Sequence, residues 1–253
     1  MFFSPLEQFE ILPLLPIRIS FLDFSITNQT IMLVLIVFFL ISIFFVILKQ
    51  SNNSLFIVPH RFQIVLEFLY SMILGIVVDN ISGKKAQLFF PLIFTIFFFI
   101  SSMNLIGLIP YSFTVTSHFI VTFSISFFIF IGMNIICVKT HKLEFFSLFL
   151  PSGTSVMLAF LLVPVELISY IFKPLSLAIR LFCNMMAGHT LLKVFAGFAW
   201  SLSGTTGVLF LMHYVPLLIL IPLFGLELGV ALIQAFVFSL LTCIYLNDAL
   251  NLH

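Results

Sequence analysis

PLSLAIRLFCNMMAGHTLLK, residues 174–193, is preceded by Lys173 and ends on Lys193, and between those two lysines the only formal charge is Arg180. A guanidinium stays protonated at any accessible pH. Carrying one to the centre of a bilayer costs roughly 2.5–3.5 kcal/mol on insertion scales and more in simulation. Twenty such residues rise about 30 Å as a helix, the thickness of a hydrocarbon core. The stretch therefore decides two things: the fold is helical and embedded in lipid, and one helix carries a cation that needs a partner or a task.

The whole chain agrees. Of its 253 residues 62% are hydrophobic and 8% charged, where a soluble domain carries about 25% charged residues. Long uncharged runs in lipid form helices, because every backbone polar group must be satisfied internally. The expectation is an all-α integral membrane protein, a single membrane domain over 1–253. A net charge of +1 without a basic block points away from nucleic acid. Cys137, Cys183 and Cys243 lie in apolar runs without a CxxC pair and read as small buried apolar residues. The 36 phenylalanines read as lipid-facing filler. The first 30 residues contain Glu7, Glu10, Asp23 and Arg18, unlike the basic start of a secretory signal; a short cleavable leader stays open.

After this N-terminal segment (1–30), residues 31–48 are a first span, ended by Lys49 and the turn-rich 50–54. In 60–80 the polar residues Gln63, Glu67, Ser71 and Asp79 recur at helical spacing among apolar ones. That pattern is an amphipathic surface helix, favoured over a sixth span. Gly83, Lys84 and Lys85 mark a boundary, and 87–138 is a two-span hairpin turning at 110–118. Residues 145–249 then form two long, oblique, kinked helices with a turn at 201–207. Pro151, Pro164, Pro174, Pro216 and Pro222 are expected to bend or break them, and a short separate helix ahead of the first is an open alternative. In this five-span layout Lys49, Arg61, Lys84, Lys85, Lys139 and Lys142 share one side, whereas the links 110–118 and 201–207 carry no Lys or Arg. The N-terminus then faces away from the basic side and the C-terminus lies on it.

Glu166, Lys173 and Arg180 are spaced seven and seven, which on a helix keeps them within ~40° of one line. Asn184 extends the stripe, and Glu227, Gln234 and Asp248 repeat the same grid on the last helix. One isolated pair would be structural glue. Two stripes at several depths mark an ion or proton route. The topology lets His189 meet Glu227 on one side of Arg180 and Glu166 meet Asp248 on the other. Two polar pockets parted by a fixed cation make two half-channels that do not connect, since the cation repels a passing proton. The chain has no spare carboxylate to shuttle across, so the carrier belongs to another, moving protein. His189 is the side chain suited to proton exchange near neutral pH. Lys173 and Lys193 read as snorkelling, Trp200 as an interface anchor, and Gly225 with Gly229 as close packing. His213 is either a lining residue of the entry route or ordinary packing, and Asn104 a hydrogen-bonding group whose partner the sequence does not name.

PVELISYIFKPLSLAIRLFCNMMAGHTLL (164–192) and GLELGVALIQAFVFSLLTCIYLNDA (225–249) resemble subunit a of the F-type ATP synthases, from about Phe89 to the C-terminus and more loosely before it. The resemblance implies that Arg180 is the essential arginine facing a ring of c-subunits, against which the long hairpin packs. It implies that His189 and Glu227 line the path from the intermembrane space, that Glu166 and Asp248 line the path to the matrix, and that Asn184 and Gln234 are the polar residues beside the arginine. His189 with Glu227 is the mitochondrial arrangement, many bacterial relatives having the acid and the histidine exchanged. Cys183, where bacteria commonly have glycine, and the ending IYLNDALNLH (244–253) resemble versions from plants and protists. The implied setting is the mitochondrial inner membrane, N-terminus toward the intermembrane space and C-terminus toward the matrix. The implied partners are the c-ring, other stator subunits, lipid and a dimeric synthase. No cofactor or metal is expected, and no GxxxxGK[ST] phosphate loop occurs. A haem- or quinone-bearing redox subunit finds no facing pair among His60, His118, His141, His189, His213 and His253. A self-contained transporter would show internal repeats, and the sequence offers none.

Overall fold

Residues Val156–Ser203 form a single α-helix of 48 residues in the computed structural model. The structure describes residues 4, 6–19, 22–53, 61–81, 84–109, 112–142, 156–204 and 212–251. Its helices are α1 (Asn28–Asn53), α2 (Arg61–Asn80), α3 (Lys84–Gly107), α4 (Phe119–His141), α5 (Val156–Ser203) and α6 (Tyr214–Leu250). Each contains a stretch long and apolar enough to cross a membrane, from Asn28–Phe45 through Gln63–Asn80 to Tyr214–Leu250. The protein is an all-α, multi-pass membrane protein. By length and composition α2 ranks with the others. Its polar residues nevertheless share a face, where Gln63 Nε2 donates to Glu67 Oε1 at 2.8 Å.

Helix ends differ from expectation in ways side chains explain. Lys49 and residues 50–53 continue α1 instead of ending it, since Lys and Gln are good helix formers. The expected turn at 201–207 starts later. Ser201 and Ser203 donate back to the carbonyls of Phe198 and Trp200, at 2.9 and 2.7 Å, and so complete the last turn of α5. Pro164 and Pro174 do not break α5; each removes one rung, leaving the carbonyls of Phe160 and Tyr170 without their usual donors. Pro216 falls in the first turn of α6, where no donor is needed. Segment 145–155, with Pro151 and the possible short helix, and residues 205–207 of the expected turn lie outside the described residues.

The chain divides into two units. One comprises Met1–Leu55, Phe98–His118 and Leu181–Ala235. Here the N-terminal segment forms two small antiparallel pairs, β1 (Pro13–Leu15) with β4 (Ile26–Thr27) and β2 (Arg18–Ile19) with β3 (Leu22–Asp23). Asn104, fully buried on α3, donates to the carbonyl of Ala231 on α6 at 3.1 Å. This supplies the partner the sequence could not name. Leu108, Met185 and Ala231 pack beside it. His213 closes the end of α5, its Nδ1 lying 2.6 Å from the carbonyl of Ala199. A Cβ at Gly225 or Gly229 would meet nothing within 4 Å among the described residues, so there these glycines do not mark close packing.

The other unit comprises Phe56–Phe97, Phe119–Arg180 and Phe236–His253. Ser126 on α4 donates to the carbonyl of Pro174, and the Tyr170 hydroxyl to Asn134 Oδ1. These bonds tie α4 to α5 along the stretch that carries Lys173. At the end of α4, His141 Nε2 lies 3.1 Å from the carbonyl of Leu250 on α6.

Candidate functional site

The seven-residue stripe of α5 is continuous helix from Glu166 past His189, so its side chains keep their helical spacing through Pro174. Arg180 is exposed, and among the described residues it has no ion pair and no hydrogen bond. It is flanked by exposed Ile179 and by Cys183, which is exposed and not buried as its apolar surroundings predict. A permanent cation left unpaired on an apolar helix face is costly in lipid, so this face is built to meet something.

In the unit holding the second half of α5, His189 Nε2 lies 3.6 Å from Glu227 Oε1. The topology read from the sequence lets these two meet. At that distance they are in ionic reach but not hydrogen-bonded. Glu227 is 4% exposed, and neither of its carboxyl oxygens nor His189 Nε2 has a hydrogen-bond partner among the described residues. A buried polar group without a partner costs about 1–3 kcal/mol, and such groups call for an explanation in function or in water. The approach depends on Gly188. A Cβ at that position would stand 2.7 Å from Glu227 Oε1 and 3.0 Å from its Cδ, inside van der Waals contact. Sequence reasoning passed over Gly188, although its place beside His189 was the available signal. Asn184 and Gln234 are half-buried and make no hydrogen bond among the described residues.

In the other unit, Asp248 does not meet Glu166. Glu166 is exposed and has no side-chain partner among the described residues, while Asp248 Oδ2 takes a hydrogen bond from Lys173 Nζ at 3.4 Å. The Lys173 ammonium also lies over the rings of Tyr170 and Tyr245, 5.5 and 5.1 Å from their centroids. Lys193 donates to the carbonyl of the exposed Ser4 at 3.3 Å. Among the described residues no group of three His, Cys, Asp or Glu could hold a metal ion.

The family model described as ATP synthase A chain matches residues 30–247. The chain belongs to that family. The subunit a family likeness also reaches well ahead of Phe89. The subunit a of Pylaiella littoralis is 53% identical over 253 residues, covering 100% of both chains. That of Marchantia polymorpha is 52% identical over 253 residues, covering 99% of each, and that of Chondrus crispus 49% over 250 residues, covering 99% of this chain and 97% of the relative. As an ATP synthase A chain, the protein is a membrane-sector subunit of an ATP synthase, working with other subunits of that complex.

Proposed function

We propose that this A chain is the proton-conducting stator subunit of a mitochondrial F-type synthase, and that Arg180 faces a ring of c-subunits. Protons enter from the intermembrane space past His189 and Glu227 and neutralise a ring carboxylate. The neutral site turns through lipid and releases its proton near Glu166 and Asp248 on the matrix side. Arg180 keeps the arriving carboxylate ionised and separates the two paths, with Asn184 and Gln234 as polar groups beside it. Potential drives this at about 2.3 kcal/mol per charge per 100 mV. The chain binds no nucleotide, lies in the inner membrane with its C-terminus toward the matrix, and joins a dimeric synthase. Its α2 rests on the membrane surface, as the Gln63–Glu67 face supports.

The observation that carries this reading is the unpaired, exposed guanidinium of Arg180 on an apolar face, with Lys173 and Asp248 paired before it along α5 and His189 and Glu227 after it. A static bridge would have given Arg180 a carboxylate. Cys183, exposed three residues on, supplies a native probe. In assembled membranes, cysteine-directed cross-linking from Cys183 should capture a c-subunit, and Cys183→Ser should abolish the product. Capture of lipid or other stator subunits alone would refute the ring-facing assignment.

Gly188→Ala tests the entry pair. Alanine favours the helix by about 1 kcal/mol over glycine, so α5 should fold and the synthase assemble. The new methyl nevertheless displaces the Glu227 carboxyl from its place against Gly188. Normal assembly on native gels with ATP-driven proton pumping reduced about tenfold or more is the expected split. Pumping at the wild-type rate would show that the placement of Glu227 is immaterial.

A further inference from the structure

Lys173 lies on a stretch long and apolar enough to cross a membrane, and its partly exposed ammonium sits over two rings. The rings are those of Tyr170 from its own helix and Tyr245 from α6. Attraction to ring faces strengthens as water is excluded. Tyr170 is fixed in turn by its hydrogen bond to Asn134. The ammonium reaches one oxygen of Asp248, Oδ2, while Oδ1 makes no hydrogen bond among the described residues. Beside the pair lies a partly open cleft with room of about 30 Å³ for the centres of water-sized spheres. Apart from Lys173, Asp248 and the tyrosine hydroxyls its walls are Phe130, Met133, Cys137 and Ala249, so this one ion pair governs its polarity. A water needs roughly 10–15 Å³ on that measure, so the cleft admits about two.

We propose that Lys173 is a positioning residue for proton release: it grips Asp248 Oδ2 and so presents Oδ1 to water in the cleft. The proposal rests on the matrix-side role assigned above to Asp248. The step balances simply: Oδ1 takes a proton from a hydronium delivered through the cleft, and the O–H bond then breaks to a water on the basic side. The titratable groups that line the cleft with Asp248 are Lys173 and Tyr170 on α5, Cys137 on α4 and Tyr245 on α6. A merely structural bridge is the alternative, but pairs as exposed as this one contribute little to stability.

The test uses the assembled synthase in inner-membrane vesicles, with ATP-driven pumping read per assembled complex. Lys173→Gln should slow pumping about tenfold, the coupling expected of contacting partners. Lys173→Arg should stay within about twofold, because a guanidinium can stack on both rings and still reach the carboxylate. Asp248→Asn should slow pumping at least as much as Lys173→Gln, and the double variant should be no slower than Asp248→Asn alone. Wild-type pumping in Lys173→Gln, an arginine variant as slow as the glutamine one, or losses that multiply in the double variant would each overturn the role of Lys173. Wild-type pumping in Asp248→Asn would instead overturn the outlet assignment of Asp248, and this proposal with it.

Discussion

Arg180→Ala should eliminate ATP synthesis and leave membranes that no longer hold a proton gradient. A unit charge passing within about 4 Å of a fixed unit charge meets a barrier of about 4 kcal/mol at an effective dielectric of about 20. The potential supplies only about 2.3 kcal/mol per 100 mV, so the guanidinium blocks a direct crossing up to roughly 170 mV. Removing it lowers that barrier by nearly three powers of ten in rate. The exposed, unpaired state of Arg180 makes the change clean, because no buried carboxylate is orphaned by its loss. The complex should therefore assemble. Arg180→Lys keeps the charge and should hold the gradient better than Arg180→Ala, yet couple poorly, since an ammonium lacks the planar fork that meets a carboxylate. The measurements are ATP synthesis and passive acidification of vesicles from the variant membranes. ATP synthesis at the wild-type rate in Arg180→Ala would end the mechanism.

What could be read from the sequence was what depends on period and composition. Glu166, Lys173 and Arg180 fall on one helical line whatever surrounds them, because the line follows from seven-residue spacing alone. The meeting of His189 with Glu227 followed from their depths once two antiparallel helices were assumed, and the structure brings the two within 3.6 Å. Spacing could not say which neighbour a charge chooses. Glu166 and Lys173 stand one heptad apart on the same face, and only packing decides that Asp248 pairs with the lysine, because the rings of Tyr170 and Tyr245 lie under the ammonium there. Gly188 was silent for a related reason: an absent side chain carries no pattern until the group that fills its space is known. Cys183 looked buried because its neighbours are apolar, but in a membrane apolar neighbours face outward as readily as inward, so hydrophobicity does not report burial. Helix ends were the least legible feature. Ser201 and Ser203 look like turn residues, and their bonds to the preceding turn of α5 are what make them helical.

Exchanging His189 and Glu227 as a pair should restore much of what either single change removes. His189→Glu sets two carboxyls in the space of one ion pair, with no hydrogen-bond partner for the Glu227 oxygens. Like charges so placed repel, and the site must either open or hold a proton it should release. Glu227→His leaves two imidazoles and no carboxyl, so the anionic half of the relay is gone. Each single variant should lose pumping at least about tenfold, which is roughly 1.4 kcal/mol of barrier. The double exchange keeps one acid and one imidazole at the same two positions, with the open side of Gly188 available to the ring at 227. Coupling energies between contacting residues run to about 0.5–3 kcal/mol, enough to return the exchanged pair to within a few fold of wild type. Pumping by the three variants, each normalised to assembled synthase, decides the matter. Losses that simply multiply in the double exchange would mean that the two side chains serve separate steps, and that their contact is packing rather than a shared proton site.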